Sequence, residues 1–361
     1  MRTMIDLFSG IGGATLALRG VATPIAYCES DPAARAVLES NMRQCLLPRA
    51  PIVPDVRTFC KVPRADVVVA GFPCIGFSTL GRRDGFVNRG SRLFFDMMRV
   101  VKAARPRIVY LENVPGILHG GTRVVARELL GQGYNVRWCT MAASSIGCPH
   151  RRKRWYCVAY KKDTDLPSES EFDDNPSSSN WALRSEPARM VTHRDATHAQ
   201  RMSLLGNAMI PQAARAAWRH LSNGAWGEST ETTKYCNQNA IVMRTSRKVL
   251  SGPRFPEAHE PLDLQLVFDP AAYDGAGKPR SPLISNPPLR RPLQRRLWGT
   301  PTSQTWAPVN VLTRRSMSML PTQVRFERST PNHLRTGSLN PTFVEWLMGF
   351  PRHWTRCSAT R

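Results

Sequence analysis

The sequence has no Cys-x-x-Cys pair, no internal repeat and no apolar run approaching the ~20 residues of a membrane span. Its nine cysteines are odd in number and scattered. That argues against a disulfide framework and against a zinc site of ordinary spacing, and it fits a reducing cytosol. Acidic residues are scarce: 27 Asp and Glu stand against 50 Lys and Arg, a net charge of +23 with a pI near 10.6. Such an excess points to a polyanionic partner, most simply nucleic acid; the other reading is a soluble protein that is merely basic. The opening MRTMIDLFSG enters a strand directly, so no signal peptide and a cytoplasmic location are expected. With 361 residues, 42% of them hydrophobic, two or three structural units with a sizeable core are expected.

What is present is organised around residues 65–78, ADVVVAGFPCIGFS. Val67, Val68 and Val69 read as a buried strand, broken by Gly71 and Pro73. Cys74 comes next, in the loop. In open α/β sheets ligands bind outside the strand ends, so a cysteine there is placed for chemistry. A lone cysteine can equally be a small core residue.

Earlier in the chain, a strand over 4–8 leads into Ser9-Gly10-Ile11-Gly12-Gly13 and a helix. Glycines let a backbone approach a ligand, and a helix start offers free N–H groups, although many such turns only pack a helix on a sheet. A second strand over 25–29 ends in Glu29 and Asp31, where nucleoside-cofactor folds hold a ribose hydroxyl. Asp31 is the expected cap and Pro32 the first residue of the next helix. Asp55-Val56 closes a third short strand. GRRDGFVNRGSR (81–92) reads as a mobile loop able to close over a ligand. It precedes an amphipathic helix with Leu93, Phe94, Met97, Val100 and Val101 on one side.

A strand over 107–111 ends in Glu112-Asn113; the acid there is either a site carboxylate or a helix cap. After the helix VVARELLGQGY, two strands flank a basic turn in which Arg152 and Arg154 alternate in phase. Residues 161–198 read as a flexible linker. Residues 199–220 hold a Gly-Asn turn and a helix opening near Pro211. Beyond 221 the periodic stretches are few: a strand over 262–269, a basic proline-rich stretch over 287–296, Trp298-Gly299-Thr300-Pro301-Thr302, and a short amphipathic helix stopped by Gly349. From 201 onward, 22 Lys and Arg face 9 Asp and Glu, so about half the excess charge lies there.

Motif by motif, the chain resembles the DNA cytosine-5 methyltransferase family, phage-type members in particular. DLFSGIGG (6–13), ESD (29–31), Asp55-Val56, GFPCIGFS (71–78), SRLFFDMMRVV (91–101), ENVPGIL (112–118), PHRRKR (149–154) and LLGNAMIPQ (204–212) occur in the family's order. The ending LNPTFVEWLMGFPRHWT is similar to the tail of phage-type members. Ile75 and His150 stand where the family usually has Gln. FVEWLMGFP comes after the Gly-Asn motif instead of preceding it, so target recognition is expected at about 221–340, in a rearranged layout.

The resemblance implies an α/β, Rossmann-like doubly wound sheet (a class I S-adenosylmethionine-dependent methyltransferase) over 1–160, with a smaller, irregular, basic DNA-contacting region over 221–361. It implies Cys74 as the nucleophile on cytosine C6, Glu112 at N3, Arg154 at O2, and Arg152 bracing the loop or a phosphate. The donor would lie on Phe8, Gly10, Gly12, Glu29, Asp55, Pro73, Leu93 and Asn207. Phe8 would stack on adenine, Glu29 take the ribose hydroxyls and Asp55 the adenine amino group. No metal enters the scheme. The expected partner is double-stranded DNA, with a monomeric enzyme, a cognate restriction endonuclease as a companion, and no membrane. Competing readings are an RNA cytosine-5 methyltransferase, an inactive DNA-binding member of the family, and a nucleotide dehydrogenase sharing the fold.

Overall fold

The computed structural model describes residues 1–73, 92–167, 185–222 and 338–357, and the backbone of 241–243 and 266–267. Strands β1 (Arg2–Leu7), β2 (Ala22–Cys28), β3 (Ile52–Val53), β4 (Val67–Ala70) and β5 (Ile108–Asn113) pair in parallel in the order β5-β4-β1-β2-β3. Their β-branched, nearly continuous apolar sequences suit a sheet covered on both faces. Alternation sorts the side chains. Met4, Val67, Val69, Ile108 and Tyr110 enter the core on one face, and Ile5, Leu7, Val68, Val109 and Leu111 enter the core on the other.

Helices α1 (Gly13–Ala17) and α2 (Pro32–Arg43) come after β1 and β2. Asp31 caps α2 by accepting from Ala33 N–H at 2.8 Å, with Pro32 at the first position. Helices α3 (Leu93–Ala104) and α4 (Gly121–Gly131) bury Phe94, Met97, Val101, Val125 and Leu129 in the second core. The third strand ends at Val53, earlier than its sequence suggests. Asp55 instead accepts from Arg57 N–H and caps a single 3-10 turn, Val56–Thr58.

Beyond β5 the sheet changes direction. Strand β6 (Tyr134–Ala142) and β7 (Lys153–Lys161) form an antiparallel hairpin, and β7 lies between β6 and β5. Strand β9 (Ile241–Met243) and β10 (Leu266–Val267) continue antiparallel outside β6.

The C-terminal segment differs from its sequence reading in two respects. Residues 161–198 are not linker throughout: β8 (Met190–Val191) pairs with β11 (Ser338–Leu339). The last helix (Pro341–Leu347) is not part of an outlying basic region. It packs into the first core with α5 (His198–Asn207) and α6 (Pro211–Ser222). The cause is composition. Phe343, Val344, Trp346 and Leu347 line one side of this helix and Met348, Phe350 and Trp354 continue the apolar surface past its end, so the whole segment is stabilised by burial. Trp354 Nε1 donates to the Ile11 carbonyl at 2.8 Å and Asn41 donates to the Trp354 carbonyl at 3.2 Å, tying the chain end to the first glycine turn.

Candidate active site

From β1 the chain winds outward to β2 and β3, then returns to β4 on β1's other side. The β1–β4 border is therefore a topological switch point, and loops on either side of it leave a crevice at the carboxyl edge. The segments after β1, β2, β3 and β4 carry Phe8–Gly12, Glu29, Asp55 and Gly71–Pro73 to that edge, and β5 brings Glu112–Asn113 there as its own last residues.

Phe8 has φ +54°, a conformation that disfavours a bulky side chain. Ser9 holds it there. Its hydroxyl donates to the Asp6 carbonyl at 2.6 Å and its N–H to the Cys28 carbonyl at 3.1 Å. Gly10 comes next at φ +52°, and a Cβ there would meet nothing within 4 Å, so the turn is open on that side. Gly12, at φ +87°, has a backbone conformation that side chains disfavour, and a Cβ would lie 2.8 Å from the tip of the Leu47 side chain.

Glu29 reaches back over this turn. Its Oε2 accepts from Gly10 N–H at 2.7 Å and its Oε1 from Asp31 N–H at 2.8 Å, leaving lone pairs for a ligand. Asp55 is engaged by Arg57 through both carboxylate oxygens, with Nη2 at 2.6 Å. These bonds hold its pKa below the usual carboxylate range. Buried Cys28 reports how the acids converge: burial first, then the charges of Glu29, Asp55 and Asp6, push its thiol up to about 12.

Asp6 was not singled out from the sequence. It lies beneath the turn, 1% exposed, with Oδ2 accepting from the Thr15 hydroxyl at 2.8 Å. Burial pushes its pKa up to about 7 against that hydrogen bond. The signal was available: a charged residue interrupts the apolar run of a strand covered on both faces.

The second half of the site depends on the antiparallel hairpin. A parallel strand would deliver its last residues to the carboxyl edge; β7 delivers its first. Asn113 pairs with Trp155 and Glu112 with Tyr156, so Arg154 and Arg152 lie just beyond, in phase with Glu112. Arg154 Nε is 3.1 Å from Glu112 Oε1, both side chains mostly buried. Burial raises the Glu112 pKa, while Arg154 and Arg152 pull against it. A Cβ on Gly71 would sit 3.4 Å from Glu112 Oε2, so this carboxylate lies against the segment leaving β4. Asn113 Nδ2 donates to the Phe72 carbonyl at 3.2 Å and fixes the approach to half-buried Pro73. Cys74, Ile75 and the 81–91 stretch lie outside the described residues.

Arg152 turns inward. Its guanidinium donates to the carbonyls of Gly206 (2.8 Å) and Ala208 (2.9 Å), on either side of exposed Asn207. Asn207 is therefore the last residue of a helix, not the middle of a free turn. The connection it begins presses on the glycine turn, because the Met209 carbonyl lies 2.4 Å from where a Gly13 Cβ would be. His150 Nδ1 accepts from Arg152 N–H at 3.2 Å; burial pushes this fully covered ring down to about 3 and keeps it neutral. Leu93, half-buried, opens α3 and packs in the same cluster as Phe8. The structure thus gathers Glu112, Arg152, Arg154, Gly71–Pro73 and the Asn207 connection on one side of the crevice. Phe8, Gly10, Gly12, Glu29 and Asp55 lie on the other.

Among the described residues, no cluster of His, Cys, Asp or Glu could hold a metal ion, and no helix is long and apolar enough to cross a membrane. The chain matches the family described as C-5 cytosine-specific DNA methylase over residues 2–358. It is similar to the Type II methyltransferase M.CviJI of Paramecium bursaria Chlorella virus IL3A, at 31% identity over 97% of this chain and 96% of that protein. The Type II methyltransferase M.HhaI of Haemophilus parahaemolyticus is 32% identical over 45% of this chain and 50% of its own length. M.BsuFI of Bacillus subtilis is 35% identical over 48% and 43% respectively. Among solved structures, the S. pombe Dnmt2 methyltransferase aligns with a TM-score of 0.39 at 19% identity, covering 54% of this chain and 65% of that one. On the family match over nearly its whole length and the full-length viral relative, the chain belongs to the C-5 cytosine-specific DNA methylase family.

Proposed function

We propose that this protein methylates C5 of cytosine in double-stranded DNA, with Cys74 as nucleophile and S-adenosylmethionine as methyl donor. The observation that supports it best is the Glu112–Arg154 pair beside Gly71, at the strand end that leads into Cys74. C5 in an aromatic ring is a poor nucleophile. Addition of the Cys74 thiolate to C6 breaks the aromaticity and makes C5 enamine-like, dividing one hard step into easier ones. The electron density moves towards N3 and O2. Glu112, its pKa raised by burial, is suited to present a proton to N3. Arg154 would face O2, and a preorganised donor of this kind is typically worth ~3 kcal/mol. Once C5 carries the methyl group, loss of the C5 proton and departure of the thiolate restore the ring.

The donor site fits the cofactor chemically. The turn at Gly10 is open, Glu29 keeps acceptor capacity beside it, and Leu93 and Phe8 supply apolar surface. S-adenosylmethionine, when bound, supplies the methyl group as an activated sulfonium. Phe8, Gly10, Gly12, Glu29, Asp55, Pro73, Leu93 and Asn207 would hold it. Arg152 acts at one remove, bracing the Gly206–Ala208 connection. A cytosine must leave the duplex to reach this crevice, at a cost of a few kcal/mol. Residues 221–340 would hold the backbone and read the target.

The test uses DNA containing 5-fluorocytosine, from which the C5 substituent cannot leave. A pool of random-sequence duplexes should trap a covalent adduct with the wild type and none with Cys74→Ser. Bisulfite sequencing of DNA from expressing cells should reveal the methylated target. An adduct-free wild type over the whole pool, or undiminished turnover in Cys74→Ser, would overturn the proposal.

A further inference from the structure

We propose that Arg99 is a positioning residue for the methyl donor: its guanidinium fixes the turn that carries Asp55 against helix α3. The assignment rests on the donor site proposed above. Read from the sequence, Arg99 is one more charge on the exposed side of an amphipathic helix. In the structure its Nη2 donates to the carbonyls of Val56 (2.6 Å) and Arg57 (3.2 Å), and its Nη1 to that of Phe59 (3.0 Å).

The turn needs such a tie. Strand β3 has two residues, too few to pin the turn beyond it. Val56–Thr58 is a single 3-10 turn, too short for helical cooperativity, and the backbone bond that closes it on the Val56 carbonyl, from Phe59 N–H, is long at 3.4 Å. At its start the Asp55 carboxylate caps Arg57 N–H at 2.8 Å. Val56 and Phe59 anchor it in the core beneath, at 4% and 5% exposure. Those anchors fix its depth but leave it free to tilt about the line joining them. Three hydrogen bonds from one planar guanidinium remove that freedom, and with it the play in the Asp55 carboxylate. Arg99 also shares α3 with Leu93, so one rigid helix sets two walls of the same pocket.

The measurement is calorimetric binding of S-adenosylhomocysteine, the demethylated form of the donor, to the full-length protein. Arg99→Met should weaken binding by about tenfold. Arg99→Lys should fall between, because a point charge cannot span three carbonyls; it carries the test if Arg99→Met does not fold. The rate at saturating donor and the affinity for DNA should stay within about twofold of wild type. If Arg99 acts through the turn, combining Arg99→Met with Asp55→Asn should weaken binding no more than the worse single change. Full additivity, wild-type affinity in Arg99→Met, or an equal loss of DNA affinity would each overturn the assignment. A wild type that binds no S-adenosylhomocysteine would remove the proposed donor site itself, and this assignment with it.

Discussion

Two buried side chains near the site pull stability in opposite directions as pH changes. Asp6 has its pKa raised from 3.8 to about 7. Its contribution is complete below the unfolded value and is lost as pH rises through about 7. His150 has its pKa lowered from 6.5 to about 3. Its contribution is complete above the unfolded value and is lost as pH falls towards about 3. Each alone gives a slope of about 1.4 kcal/mol per pH unit. Between about pH 4 and 6.5 the two nearly cancel. In Asp6→Asn, stability should therefore climb with pH over that span more steeply than in wild type. In His150→Gln it should decline relative to wild type. Urea midpoints at several pH values check both, and a pair of variants whose slopes match the wild type would show that neither group titrates as its burial requires. Arg152 offers a separate check. Arg152→Lys keeps the charge but cannot bridge the Gly206 and Ala208 carbonyls, so turnover should drop while the Glu112–Arg154 pair stays intact. Wild-type kcat in that variant would remove Arg152 from the supporting framework.

Among the elements, the β6–β7 hairpin and the α5–α6 connection decide what the crevice can do. The hairpin delivers arginines to a carboxylate through its reversed direction. The connection closes the crevice by lying on α1, and that approach depends on Gly13. Gly13→Ala would place a methyl group 2.4 Å from the Met209 carbonyl. Backbone cannot yield as a side-chain tip does, so a loss on the order of 1–3 kcal/mol is expected. Gly131 is the control. It ends α4 with an ordinary φ and nothing within 4 Å of an added Cβ, so Gly131→Ala should stabilise by about 0.4–1 kcal/mol. Denaturant midpoints distinguish the two. Gain in both would show that helix propensity outweighs the close approach at Gly13, and loss in both would show that the fall is not specific to that approach.

Across the whole molecule, α5 and the C-terminal segment are joined by a buried charge network. Glu345, fully buried, accepts from Thr355 N–H (2.9 Å), the Thr355 hydroxyl (2.5 Å), His353 N–H (2.7 Å) and Arg201 (3.2 Å). Arg201 also donates to the Thr355 hydroxyl at 2.9 Å. Removing Glu345 leaves the buried Arg201 guanidinium with the half-exposed Asp195, at 3.6 Å, and takes the acceptor from Thr355 and His353, so Glu345→Ala should destabilise by about 3 kcal/mol. Arg201→Met with Glu345→Leu should lose less than Glu345→Ala alone. A double variant worse than the single would mean that the pair itself, not the stranded charge, carries the energy. The net charge of +23 predicts a steep, linear loss of DNA affinity with the logarithm of salt concentration.

The strands β1, β4 and β5, the cap at Asp31, the glycine turn and the acid at Glu112 were legible in the chain, because apolar alternation and turn chemistry act over a few residues. So was the phase shared by Arg152 and Arg154, which stems from the period of a strand. The reversed course of β7 was not, and without it that phase has no partner. Nor were the clasp of Arg99 on the Asp55 turn or the return of residues 338–357 to the glycine turn. Each of these joins residues tens to hundreds of positions apart, and such contacts are chosen by which surfaces close on one another once the sheet has formed. Local preference wrote the elements; their packing decided which carboxylate met which arginine.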